Sequence, residues 1–119
     1  MSGPTAQPLV VELADTRGPT RVVRVSGSAS MDSGSELRDR LVSLTDASTR
    51  RLVLDLADLE FINSLGLGGI VAAHLRLRSK QSEIHIAAPQ PAIRELLDVT
   101  RLTKLFPVHD SVEHAMASA

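Results

Sequence analysis

Ser64 is the residue of this chain whose surroundings best suit chemistry on a hydroxyl group. It follows Asn63 and precedes the small-residue segment 66–69, Gly-Leu-Gly-Gly, which leads into a helical pattern. A serine at a helix start is ordinarily a cap, worth about 1 kcal/mol. A phosphate on the same oxygen would lie at the positive end of the helix dipole. The pattern therefore leaves two interpretations of Ser64 open, a structural cap and a modified hydroxyl.

Catalysis by Ser64 would need a general base within hydrogen-bond reach. His74 lies ten residues further along the same predicted helix, about 15 Å away at 1.5 Å per residue. The Gly-x-Ser-x-Gly pattern of a nucleophile turn is missing, because Ile62 occupies its first glycine position. We interpret all four histidines as structural or surface residues and predict that the protein is not an enzyme. The other three histidines are His85, His109 and His114.

Metal and nucleotide sites have weaker support in the sequence. Asp55, Asp58 and Glu60 do not follow a calcium-loop spacing, so we interpret them as strand-end and turn acids. The glycines of segment 66–69 lack the Lys-Ser/Thr of a P-loop and the Gly-x-Gly-x-x-Gly spacing. We interpret them as small residues that let a helix pack close to a sheet. We therefore predict no metal and no cofactor, and a small nucleotide-binding or hydrolytic enzyme is the weakest of three hypotheses.

The composition is that of an ordinary globular domain. Of 119 residues, 43% are hydrophobic and 23% charged, enough for one adequate core. A net charge of −1 and only two aromatic residues argue against nucleic-acid binding. No apolar run approaches the roughly 20 residues of a membrane span, and the absence of cysteine excludes disulfides and suits a reducing compartment. We predict a cytoplasmic protein without membrane insertion.

The elements that position Ser64 follow from hydrophobic periodicity. The continuous apolar run 51–56 before it is typical of a strand covered on both faces, and strands alternating with helices predict an α/β architecture. We expect a flexible arm at residues 1–8 and one domain at 9–119, with a mixed sheet of about five strands and about four helices. The predicted strands are 9–14, 20 to about 27, 51–56, 83–87 and 105–108. The predicted helices are about 33–44, 64–80, 92–99 and 111–117.

The leucines beside Ser64 suggest a surface for another protein. Leu65 and Leu67 lie at the helix start. The two leucines cannot both face the core of the protein. Exposed apolar side chains around a hydroxyl are typical of a partner-binding surface. A phosphate on Ser64 would add about −1.5 to −2 charges to that surface. We therefore expect phosphorylation to block docking without unfolding the domain.

The segment Leu54-Asp55-Leu56, followed by Phe61-Ile62-Asn63-Ser64-Leu65-Gly66-Leu67-Gly68, resembles the signature of STAS domains, as in bacterial anti-sigma factor antagonists. The resemblance extends over most of the chain. It implies that the unphosphorylated domain binds an anti-sigma factor that is also a serine kinase, that this kinase phosphorylates Ser64 and ends binding, and that a phosphatase resets the cycle. The implied contact residues are Asn63, Ser64, Leu65, Gly66 and Leu67 at the helix start, and Ser28, Ser30, Met31 and Asp32 in the loop after the second strand.

Three positions depart from the family pattern. Asn63 replaces the motif aspartate, Leu65 replaces the second serine or threonine, and Ser30 stands where the loop after the second strand usually has an aspartate. Two negative charges near the hydroxyl are therefore missing. These departures favour an alternative function, a STAS adaptor subunit of an ABC lipid-transport or signalling scaffold complex that is not phosphorylated.

Overall fold

The structure is a computed structural model that describes residues 7–29 and 33–117, without the side chain of Ser33. Residues 1–6 of the predicted arm lie outside the described residues, and so do the predicted contact residues Ser30, Met31 and Asp32. In the two described ranges, no helix is long and apolar enough to cross a membrane.

The described residues form a single α/β domain with six strands and four α-helices. The strands are β1 (Val10–Arg17), β2 (Thr20–Ala29), β3 (Arg51–Asp55), β4 (Leu59–Ile62), β5 (Glu83–Ala87) and β6 (Val108–His109). The helices are α1 (Ser33–Ser43), α2 (Ser64–Arg78), α3 (Pro91–Val99) and α4 (Val112–Ala117), with a 3-10 turn at Leu102–Lys104. The predicted α/β class is confirmed.

The sheet is mixed, as predicted, and runs in the order β1-β2-β3-β5-β6. The β1–β2 hairpin is antiparallel and the other neighbours are parallel. In register, Val23 lies beside Leu54, and Leu54 lies beside Ile86. The three side chains share one face of the sheet and are fully buried there. This row of side chains forms the centre of the core.

The structure adds one strand to the prediction and shifts another. β4 pairs with the last residues of β2, which runs to Ala29, two residues beyond its predicted end, so that Ser28 belongs to a strand and not to a loop. The last strand was predicted at 105–108. It begins only at Val108, because residues 102–104 form the 3-10 turn and Phe106 packs into the core.

Helices cover the two sheet faces unequally. α1, α2 and α3 pack on the face that carries the large core, whereas α4 covers a small second cluster of Val22, Val53, Ala87 and Ala115. Residues of β3 are therefore buried alternately on both sides. This confirms the interpretation of the apolar run 51–56 as a strand with two covered faces.

The glycines of α2 do not all have the predicted role. A Cβ at Gly66 would lie 2.7 Å from Ile62 Cγ1 and 3.1 Å from the Ala29 Cβ, so Gly66 lets the helix approach the strand ends as expected. A Cβ at Gly69, however, would lie 2.3 Å from the Gly34 carbonyl oxygen of α1. Gly69 therefore allows close contact between two helices, not between a helix and the sheet.

Candidate partner-binding site

Asn63 caps α2, and Ser64 is the first residue inside the helix. Asn63 has an extended backbone, with φ −99° and ψ −176°, and its Oδ1 accepts a hydrogen bond of 2.9 Å from the Gly66 amide. This is the geometry of an N-cap, which satisfies one of the free amides of the first turn. The interpretation of Ser64 as the structural cap is therefore wrong, because the residue before it has that role.

The Ser64 hydroxyl is accessible. Ser64 is exposed, and among the described residues its Oγ has no hydrogen-bond partner. The backbone beneath it is held firmly, since the Asn63 amide donates to the Ala29 carbonyl at 3.1 Å and the Leu67 amide donates to the Asn63 carbonyl at 3.0 Å. The start of α2 therefore has a fixed backbone and presents a free hydroxyl.

The two leucines next to Ser64 have opposite environments. Leu65 is 60% exposed, whereas Leu67 is 6% exposed and packs in the main core. The expected contribution of Leu67 to an apolar surface is therefore wrong. Phe61, at the end of β4 and three residues before Ser64, is 50% exposed instead. The apolar part of the site consists of Leu65 and Phe61.

Ser28, the described residue of the predicted loop contacts, lies close to this apolar surface. It is paired with Phe61 in the β2–β4 ladder and is half-buried. Gly66 is buried under Ile62 and Ala29, so it shapes the backbone and offers little surface of its own. The structure thus brings together Ser28, Asn63, Ser64 and Leu65 from the predicted set and adds Phe61.

A groove of ≈ 460 Å³ runs between α1 and α2 next to Leu65. Gly68 is exposed, and a Cβ there would meet no atom within 4 Å, so the missing side chain keeps the groove open. Arg38 of α1 lines the opposite wall and pairs with Asp39 at 2.9 Å. Nothing in the sequence indicated that Arg38 faces α2.

Among the acidic residues that precede Ser64 in the sequence, Asp55 makes structural contacts. Asp55 Oδ1 accepts from the Ala57 amide at 3.1 Å, and its Oδ2 lies 3.7 Å from Arg24 Nε. The first turn of α2 contains no acidic residue. Within the part of the chain that the structure describes, no cluster of three or more His, Cys, Asp or Glu residues could hold a metal ion.

The histidines are used for packing and hydrogen bonding. His74 is buried in α2, and its ring meets Phe106 edge-on at 5.1 Å. His85 Nδ1 lies 2.9 Å from His109 Nε2, and His85 Nε2 lies 2.7 Å from Glu83 Oε1. The two imidazole rings are parallel, and their centroids are 5.1 Å apart. This separation is about the sum of the Nδ1···Nε2 distance and the radii of the two rings, as expected for rings that meet edge to edge. They therefore share an edge-to-edge hydrogen bond and are not stacked face to face.

Comparison with known proteins places this architecture in a family. The family model for the STAS domain matches residues 12–115. The chain is 30% identical over 112 residues to a protein named anti-sigma F factor antagonist of Paenibacillus polymyxa, covering 91% of this chain and 92% of that protein. It is 31% identical over 94 residues to a protein of Bordetella bronchiseptica named as the anti-sigma factor antagonist BtrV, covering 79% and 81%.

A solved structure shows that the fold of this chain also resembles that of an anti-sigma factor antagonist. The crystal structure of an anti-sigma factor antagonist from Mycobacterium paratuberculosis superposes with a TM-score of 0.79, at 29% identity and with 92% of each chain covered. The region matched by the family model includes Ser64 and begins within β1. This chain belongs to the STAS domain family.

Proposed function

We propose that this protein is an anti-sigma factor antagonist that docks through the surface around Ser64 and is released when Ser64 is phosphorylated. The main support for the proposal is that two adjacent residues at the start of α2 have different roles. Asn63 caps the helix, while the adjacent Ser64 presents a free, exposed hydroxyl beside the exposed Leu65. The names of the Paenibacillus and Bordetella relatives support the choice of partner.

The geometry gives phosphorylation a local effect. A phosphate on Ser64 would lie among the amides at the N-terminus of α2, where an anion is favoured. It would add about −1.5 to −2 charges beside Leu65 and Phe61, which would oppose burial of these side chains in an interface. Because Asn63 retains the cap, the domain would stay folded. The modification would therefore change affinity and leave stability nearly unchanged.

The proposed partner is an anti-sigma factor with serine-kinase activity, and a phosphatase restores the unmodified hydroxyl. Ser64 is exposed and directly precedes Leu65, which lines the α1–α2 groove, so an active site can reach the hydroxyl. A partner that controls a sigma factor works where transcription occurs, so the proposed function places this protein in the cytoplasm. In this function the protein acts by binding and not by catalysis.

Incubation with the cognate anti-sigma factor and ATP tests the switch. We expect a mass gain of about 80 Da that fragmentation locates on Ser64. Ser64→Ala should abolish the gain and keep binding, whereas Ser64→Asp should weaken binding. Ser35→Ala is a matched control, because Ser35 is an exposed serine on the wall of the same groove. A gain that persists in Ser64→Ala and disappears in Ser35→Ala would refute the assignment.

A non-phosphorylated adaptor is the second candidate. It is favoured by the first turn of α2, which has no acidic residue and carries Leu65 in place of the family's second hydroxyl. An adaptor of an ABC lipid-transport or signalling scaffold complex would co-purify with an ATPase or scaffold whatever the state of Ser64. Equal partner affinity of wild type and Ser64→Asp would favour this adaptor over the switch.

A further inference from the structure

A second groove, of ≈ 540 Å³, lies at the opposite end of α2 from Ser64. It is bounded by the C-terminal turn of α2, the start of β5, the 3-10 turn and the residues after that turn. We call it the distal groove. Its chemically distinctive lining residues are Arg50, Arg78, Lys104, Thr103, His74 and Glu83. His74 is ten residues along α2 from Ser64, about 15 Å at the helical rise, so the two sites are separate.

Three cations line the distal groove, and no carboxylate neutralises them in the described ranges. Arg78 and Lys104 are exposed and have no ion-pair partner among the described residues. Arg50 uses its Nη1 to donate to the carbonyls of Ala47 at 2.8 Å and Thr49 at 3.2 Å. Its Nε and Nη2 have no partner in the described part of the chain. The groove therefore has unused guanidinium and ammonium donors.

The negatively charged and carbonyl groups near these cations already have other partners. Glu83 Oε1 lies 2.7 Å from His85 Nε2 and 3.5 Å from Arg51 Nη2, and the hydrogen bond with His85 is the main reason that its pKa is lowered. The Leu77 carbonyl at the end of α2 accepts from the Lys80 amide at 3.0 Å and the Ser82 amide at 2.9 Å. Glu83 therefore stays ionised but is paired with His85 and Arg51, so it does not occupy the three cations of the groove.

His74 places a buried imidazole ring in the wall of the distal groove. It lines the groove but is only 4% exposed, and its Nδ1 is buried without a hydrogen-bond partner among the described residues. The edge contact with Phe106 fixes the ring. Buried polar atoms in folded proteins almost always have a partner, and one without it needs an explanation. Nδ1 is closed to the groove, so an oxyanion bound there would meet the other ring nitrogen, Nε2, which has no partner among the described residues.

We propose that the distal groove binds a small phosphomonoester, a function beyond the partner binding proposed above. The planar forks of two arginines match pairs of phosphate oxygens, and three positive charges suit a dianion better than a single carboxylate. Thr103 adds a hydroxyl donor near Lys104. Leu105 and Pro107 form an apolar part of the lining that an organic ester group can contact.

Titration followed by amide NMR spectra tests the site with two probes, inorganic phosphate and phenyl phosphate, each compared with sodium chloride at matched ionic strength. We expect saturable shifts at the amides of Arg78, Gln81, Thr103 and Lys104, and tighter binding of phenyl phosphate. The imidazole of His74 should titrate at higher pH when the site is filled, because an adjacent anion favours the charged ring. Equal affinity for the two probes would overturn the ester assignment.

Charge-matched double variants decide whether the shifts report a site. Arg78→Gln with Lys104→Gln should weaken binding by about tenfold or more, since two charge-assisted contacts are lost. Arg76→Gln with Lys80→Gln removes the same charge from exposed residues at the same helix end that do not line the groove. This control should bind within about twofold of wild type. Equal weakening in both variants, or shifts that sodium chloride reproduces, would overturn the proposal.

Discussion

Asn63 and Ser64 are adjacent, yet the structure predicts different consequences for their substitution. Asn63→Ala removes the hydrogen bond to the Gly66 amide and should lower the free energy of unfolding by about 1 kcal/mol. Asn63→Asp keeps an acceptor and adds a negative charge at the helix N-terminus, so it should be neutral or stabilising by a few tenths of a kcal/mol. Urea unfolding of the two variants measures both effects.

Ser64→Ala is the control for this pair. Because Asn63 is the cap, loss of the Ser64 hydroxyl should change the free energy of unfolding by less than about 0.5 kcal/mol. A loss as large as that of Asn63→Ala would mean that the serine also satisfies a helix amide, and the separation of cap and modification site would be wrong.

Leu65 and Leu67 provide a second contrast between stability and binding. Leu67 is buried in the core and Leu65 is 60% exposed. Leu67→Ala should therefore lower the free energy of unfolding by about 2–4 kcal/mol, and Leu65→Ala by less than about 0.5 kcal/mol. Affinity for the anti-sigma factor should fall in Leu65→Ala, as isothermal titration calorimetry would show. An unchanged affinity would exclude Leu65 from the interface.

The sequence correctly located the start of α2 at Ser64. It did not indicate which of the neighbouring leucines is exposed. Gly66, Gly69, Ile70, Ala73 and Leu77 recur at helical spacing along one side of α2, and all five are buried. Leu67 and His74 are buried as well. The buried face is wide because α2 contacts both the sheet and α1, and periodicity along one helix does not reveal a second neighbour.

Among the elements, the crossing of α1 and α2 depends on Gly34 and Gly69. A Cβ at Gly69 would lie 2.3 Å from the Gly34 carbonyl oxygen, a backbone atom that can yield only if the helices separate. Gly69→Ala should therefore destabilise the protein by about 1–3 kcal/mol, as overpacking commonly does. Thermal and urea unfolding would measure the loss.

Gly68→Ala is the matched variant one residue earlier. Gly68 is exposed, and its Cβ would meet nothing within 4 Å. Alanine should therefore stabilise the helix by about 0.5–1 kcal/mol, because glycine has the greater conformational freedom in the unfolded chain. If Gly68→Ala and Gly69→Ala destabilised equally, the effect would reflect alanine in the segment and not the helix crossing.

Sequence periodicity did not predict β4, and the structure gives the physical reason. β4 has only four residues, of which Leu59 and Ile62 are buried and the two between them exposed, so it lacks the alternation that marks a strand. It pairs with the end of β2, where Gly27 has a φ of +85° and the register shifts. A Cβ at Gly27 would lie 2.0 Å from the Pro8 carbonyl oxygen. That packing between distant segments is invisible to local periodicity.

For the whole molecule, α2 connects two chemically different ends. Its N-terminal end carries Ser64 and the proposed docking surface, and its C-terminal end forms a wall of the distal groove. Between them Ile70, Ala73 and Leu77 are buried against the main core. The same packing that positions Ser64 therefore also buries His74, which couples the ionisation of this histidine to the stability of the domain.

Stability should fall as the pH is lowered through the range in which histidine titrates. Burial lowers the pKa of His74, with a further contribution from Arg78 that Glu83 partly opposes. Burial also lowers the pKa of His109, and so does the neighbouring His85. Below about pH 6.5 the unfolded chain therefore binds more protons than the folded one, and the free energy of unfolding decreases. The lowered pKa of Glu83 acts only at more acidic pH.

His74→Leu isolates the contribution of the buried ring to this pH dependence. Urea unfolding of wild type should give a lower free energy at about pH 5.5 than at about pH 7. His74→Leu should show a smaller decrease, because an aliphatic side chain binds no proton in either state. His109→Gln should also reduce the decrease, because burial lowers the pKa of that histidine too. An undiminished decrease in His74→Leu would place the coupling at His109 and not in α2.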